Sequence, residues 1–155
     1  MDRITIGIIA ILIFSFAAIA GFYGYHFFYY PPPYKTIPPI EVAQLIATDN
    51  EERIRIVLVD VRNVEDYNEG HIKGGINIPL QYLETAIGNL EHYKNNIVIV
   101  YSQNGIKGSN ASKIFTDNGF ARVYNLDGGI SAWIKEGFSI IPTETSEGCK
   151  ECGND

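Results

Sequence analysis

Cysteine is scarce in this chain of 155 residues: the only two, Cys149 and Cys152, stand in the segment Glu147-Gly148-Cys149-Lys150-Glu151-Cys152-Gly153. The stretch from Ile37 to Phe138 has no thiol, so covalent sulfur chemistry on its own side chains is excluded there. A single C-x-x-C also lacks the second ligand pair that a structural zinc needs, and neither a metal nor a cofactor is read from the sequence. Two readings of the pair stay open, a simple disulfide in a loose tail or a thiol used in redox or sulfur relay. Basic charge is scarce as well. Lys and Arg number 12 against 18 Asp and Glu, the net charge is -6, and no run of Lys or Arg occurs. That removes the electrostatic footprint needed to bind nucleic acid, which is not expected as a partner. No internal repeat is present, and no low-complexity segment beyond a few prolines.

Charge of either sign is missing altogether between Ile4 and Tyr30. As a helix this stretch would measure about 40 Å at 1.5 Å per residue, enough to span a bilayer and its headgroups. Its aliphatic part, Ile4 to Ala20, gives way to Phe22, Tyr23, Tyr25, Phe27, Phe28, Tyr29 and Tyr30, the aromatic belt expected where a helix leaves hydrocarbon. The expectation is a single-pass anchor over residues 1–30. A cleaved signal peptide is the competing reading, because Ala18-Ile19-Ala20 before Gly21 has the small-x-small form of a cleavage site. Only Arg3 and Lys35 flank the segment, so the positive-inside rule has little to act on. Likeness to an uncleaved signal peptide places the membrane-anchored domain on the extracytoplasmic side.

Residues 31–39 follow, with Pro31-Pro32-Pro33 and Pro38-Pro39 reading as a stiff extended spacer, since each ring fixes φ and removes a donor. The rest, 40–138, is long enough to bury a core, and 139–155 form a tail. Ile40, Ala43, Ile46 and Ala47 recur on one helical face. Ile56-Val57-Leu58-Val59 and Ile97-Val98-Ile99-Val100 are β-branched runs of the buried-strand kind, and Val123-Tyr124-Asn125-Leu126 is a further strand. Helices are expected over Leu80–Tyr93, Ser109–Asn118 and Ile130–Lys135. Alternation of this kind predicts an α/β domain with a mainly parallel sheet, its site at the carboxyl ends of the strands. Gly74, Gly75, Gly128 and Gly129 read as turn or close-packing glycines, and Trp133 as a core anchor with Ile130.

Val57-Leu58-Val59-Asp60-Val61-Arg62, Glu65, Tyr67, Gly70-His71-Ile72, Gly74, Asn77-Ile78-Pro79, Gly119-Phe120, Val123 and Leu126-Asp127-Gly128-Gly129-Ile130 with Trp133 resemble the rhodanese family in order and spacing. The resemblance implies a three-layer sandwich around a central parallel sheet. Active members carry a cysteine at the start of a six-residue loop after the fourth core strand. They take sulfane sulfur from a donor such as thiosulfate as a persulfide and pass it to a thiol or cyanide.

The matching loop here is Ser102-Gln103-Asn104-Gly105-Ile106-Lys107, opening into a helix from about Gly108. A strand ending in a tight loop before a helix turns backbone N–H groups inward and adds the helix dipole, which makes an anion cradle. The family's nucleophile position holds Ser102, whose hydroxyl ionises far less readily than a thiol and forms no S–S bond. No base and orienting group are in evidence for serine catalysis, because the family's histidine at His71 pins loops. Lys107 stands where the family places a cation for the anionic donor, and Asp60 and Arg62 fix loops by pairing. The sequence therefore reads as a membrane-anchored rhodanese-like module without sulfurtransferase activity, binding a small anion, a sulfur-containing ligand or a partner protein. Its alternative is a sulfurtransferase or thiol-redox protein that uses Cys149 or Cys152.

Overall fold

The computed structural model describes residues 33–48 and 55–143, together with Ser15, Ala18 and Ile19. The expected anchor, the signal-cleavage alternative, and Cys149 and Cys152 lie outside the described residues. Among the described residues no helix is long and apolar enough to cross a membrane.

Five strands, β1 (Lys35–Ile37), β2 (Ile56–Asp60), β3 (Gly75–Asn77), β4 (Ile97–Tyr101) and β5 (Arg122–Leu126), form one sheet in the order β1-β5-β4-β2-β3. Every pairing is parallel, with Leu58 opposite Ile99, Val98 opposite Val123, Val59 opposite Ile76 and Ile37 opposite Leu126. The helices are α1 (Pro39–Ala47), α2 (Val64–Glu69), α3 (Leu80–Ala86), α4 (Ile106–Asp117) and α5 (Gly129–Lys135), with a 3₁₀ segment Ile87–Tyr93 after α3. Side chains of a strand alternate between faces. Val59, Val98, Val100 and Val123 accordingly meet Leu83, Ile87, Ala111 and Phe115 of α3, the 3₁₀ segment and α4. Leu58, Ile99, Tyr101 and Leu126 meet Val42 of α1 and Ile130 and Trp133 of α5 on the other side. This is the α/β sandwich around a parallel sheet that the sequence implied.

Several boundaries differ from expectation. Lys35–Ile37, inside the segment read as spacer, pairs with β5 as an edge strand, and the Pro pair that follows starts α1. In α1 the buried face is centred on Val42, while Ile40 is 48% exposed, because Val42 is the position that reaches the sheet. Leu80–Tyr93 is no single helix. It tightens into 3₁₀ geometry at Ile87, where Gly88 and Asn89 weaken α-helical propensity. The tail beyond Phe138 is partly fastened, since His71 and Ile141 exchange two backbone hydrogen bonds of 2.9 and 2.8 Å.

Candidate functional site

Ser102 follows β4 directly and is 1% exposed. Its Oγ accepts hydrogen bonds from the backbone N–H groups of Gly105 and Gly108, at 3.1 Å each. Two features of the chain make this possible. Gly105 adopts φ +87° as the N-cap of α4, a left-handed conformation suited to glycine, and turns the chain back over Ser102. Gly108 lies against Asn125, where any Cβ would collide with the carboxamide. Helix α4 therefore starts at Ile106, ahead of the expected position, and Ile106 and Lys107 form its first turn.

The loop carbonyls point the opposite way. Ser102 O accepts from Ile130 N–H at 2.9 Å and Gln103 O from Ser131 N–H at 3.1 Å, so the opening amides of α5 are satisfied by this loop. That contact requires glycine at position 129, with φ +62°, because a Cβ there would stand 2.7 Å from both Gln103 C and Gly105 N. With carbonyls committed to α5, loop amides turn inward on Ser102. Asn104 Oδ1 fixes the turn further by accepting from Ile106 N–H at 3.2 Å.

Asp60, fully buried at the end of β2, and Arg62, 7% exposed, form a two-pronged ion pair. Arg62 Nη2 donates to Asp60 Oδ2 at 2.7 Å and Nε reaches both carboxylate oxygens at 3.1 Å. Nη2 also donates to Gly70 O at 2.7 Å, and Asn77 Nδ2 donates to the carbonyls of Asp60 and Arg62 at 3.1 and 3.0 Å. The pair thus ties the segments after β2 and before β3 together. Beside it, burial first and the Asp60 charge second hold the Tyr101 hydroxyl protonated far above the ordinary tyrosine range. Tyr101 Oη accepts from Ile72 N–H at 3.3 Å.

His71 Nδ1 lies 3.0 Å from Tyr67 O, and its ring stacks on the Tyr67 ring with centroids 3.9 Å apart. No hydrogen bond joins His71 to Ser102 among the described residues. Lys107 is exposed and lines a cavity of about 250 Å³ with Val61, Asn63, Pro79, Leu80 and Gln81, next to the loop. The structure therefore gathers Ser102, Gln103, Asn104, Gly105, Ile106, Lys107, Asp60 and Arg62 at the carboxyl end of the sheet, with His71 in a supporting layer. Sequence reasoning missed Gly108 and Asn77. The Asn-Ile-Pro step was read for family likeness alone, and the close packing over Gly108 has no sequence signal.

A family model described as the rhodanese-like domain matches residues 40–136, and the chain belongs to that family. Among curated proteins, the thiosulfate sulfurtransferase of Shewanella oneidensis is 35% identical over 94 residues, 61% of this chain and 89% of that protein. The tRNA uridine(34) hydroxylase of Buchnera aphidicola is 37% identical over 84 residues, 52% of this chain but only 27% of the larger relative. Among solved structures, a Bacillus halodurans protein superposes with a TM-score of 0.61 at 29% identity, covering 77% of this chain and 85% of its own. The rhodanese-like domain of an Anabaena protein gives 0.60 at 25% identity, over 77% and 86%.

Proposed function

We propose that this protein is a membrane-anchored rhodanese-like module without sulfurtransferase activity of its own, which recognises a small oxyanion or an anionic partner group at the Ser102–Lys107 loop. One observation carries the reading: the oxygen of Ser102, and no thiol, receives the Gly105 and Gly108 amides at 3.1 Å. Backbone amides aimed at one point beneath a helix N-terminus favour negative charge whatever side chain lies at the bottom. An alcohol there takes up no sulfane sulfur. Nor does a base reach it, since among the described residues His71 makes no hydrogen bond to Ser102 and its Nδ1 faces the Tyr67 carbonyl. The uncharged stretch Ile4–Tyr30 supports the anchor, and its likeness to an uncleaved signal peptide favours the extracytoplasmic orientation.

The full chain in nonionic detergent, given thiosulfate and cyanide, is expected to form thiocyanate at the rate of a protein-free blank. Sulfate added at constant ionic strength should shift the Gly105 and Gly108 amide resonances, and Lys107→Ala should weaken that binding severalfold by removing the cation beside the loop. Thiocyanate formation that disappears with Cys149→Ser or Cys152→Ser would replace this reading with the tail-thiol alternative. The protein is expected to sediment with membranes and to be released by detergent. A soluble product beginning at Gly21 would remove the anchor.

A further inference from the structure

Arg62 divides its donors unevenly. Nε and Nη2 are committed to Asp60, and Nη2 to Gly70 O as well, at 2.7 to 3.1 Å. Among the described residues Nη1 meets a single acceptor, Gln103 Oε1, at 3.4 Å. This is long for any N–H···O bond and longer still for a charged donor, which settles at about 2.7–2.9 Å on an anionic acceptor. Gln103 is exposed, and its other end is held by Nε2 donating to Ser131 Oγ at 2.9 Å. The carboxamide thus lies between a buried guanidinium and α5, and it puts a neutral oxygen where a better acceptor belongs. The backbone N–H groups of Gln103 and Asn104 find no acceptor among the described residues.

We propose that Arg62 Nη1 is a direct ligand for the oxyanion at this loop, and that Gln103 Oε1 is a built-in surrogate which the ligand displaces. The ligand class is a small tetrahedral oxyanion such as sulfate or thiosulfate, one of whose oxygens replaces the Gln103 carbonyl. Gln103 sets the threshold for entry, because rotation of its exposed side chain gives up the Ser131 bond and uncovers the cation. The inference rests on the loop being an anion site and adds which charged donor recognises the anion and what competes with it.

The test uses the full chain in nonionic detergent, with sodium sulfate as probe and sodium chloride holding ionic strength constant. Gln103→Ala, which deletes the competitor, is expected to bind sulfate about fivefold tighter, the scale of one ordinary hydrogen bond, as suits a contact of 3.4 Å. Gln103→Glu supplies a permanent internal carboxylate and should bind at least about tenfold more weakly. In the native chain the side-chain N–H resonances of Arg62 should move with sulfate along the same isotherm as the loop amides. A purely structural Arg62 would stay silent. If the Gly105 and Gly108 amides respond while Arg62 does not, or if Gln103→Ala binds no tighter, the inference is overturned and the loop remains an anion site. If no resonance responds in the native chain or in Gln103→Ala, the inference and the anion-site reading fall together.

Discussion

Replacing Ser102 by cysteine turns the cradle geometry into a measurable acidity. The Gly105 and Gly108 amides, each 3.1 Å from Ser102 Oγ, would face the sulfur instead. Two hydrogen bonds to a thiolate at about 1.4 kcal/mol each lower its pKa by about two units. The N-terminus of α4 contributes about half a unit more. Burial works against this, since Ser102 is 1% exposed and the thiolate must leave water; this returns about one unit. From a reference near 8.5 the balance is a thiol pKa of about 7, so that roughly half is thiolate at pH 7 against about 3% for a free cysteine. The assay is alkylation rate against pH for Ser102→Cys in a chain that also carries Cys149→Ser and Cys152→Ser. Incubation with thiosulfate, in which the thiolate attacks the outer sulfur and sulfite leaves, should add one sulfur atom to the protein. A folded variant whose thiol titrates at or above 8.5 would refute the argument, because burial would then outweigh the amides and the dipole.

Asp60→Ala leaves the buried Arg62 guanidinium without its carboxylate and should cost about 3–5 kcal/mol in chemical denaturation. Gly129→Ala forces a Cβ into the Ser102–Gly105 backbone at φ +62° and should cost about 3 kcal/mol, whereas Gly137→Ala, at φ +86° with open space around it, should cost only about 1 kcal/mol. Similar losses at the two glycines would count against the α5–loop contact. Tyr101 retains its proton in the folded protein well above the ordinary tyrosine value of about 10. Above that pH the unfolded chain releases a proton that the native state keeps, so stability should fall by up to about 1.4 kcal/mol per pH unit from this group. Denaturation midpoints that stay flat above pH 10 would contradict the burial of Tyr101.

What could be seen in the sequence was whatever a short window records. Ile56–Val59 and Ile97–Val100 declare central strands because both faces of a parallel sheet are covered and every position is apolar. The two three-residue strands have no such pattern, and only their ladders define them, Thr36 opposite Asn125 and Val59 opposite Ile76. Helix α2 has no buried residue and so no apolar stripe. No helix is expected there from the sequence; the local signal for one is Asn63, whose side chain accepts from Asp66 N–H as an N-cap with two acidic residues in the first turn. The loop around Ser102 was legible as a strand-loop-helix junction. Its tightness was not, because Gly129 and Ser131 close it from 27 and more residues away. The Arg62–Gln103 contact joins positions 41 apart and belongs to the tertiary fold alone.

Both outer strands of the sheet, β1 and β3, are only three residues long. A second chain adding to either edge would gain two or three backbone hydrogen bonds, too few to offset the entropy of ordering a segment to match. Pro38 and Pro39 stop the first edge from growing, and Tyr67 Oη already donates to Gly75 O at 2.7 Å on the other. Among the described residues the strongest β-formers, the runs of β2 and β4, are each paired on both sides and are exposed only when the fold opens. Resistance to β-polymerisation in concentrated solution is thus a property of the folded state, and it should disappear together with native stability.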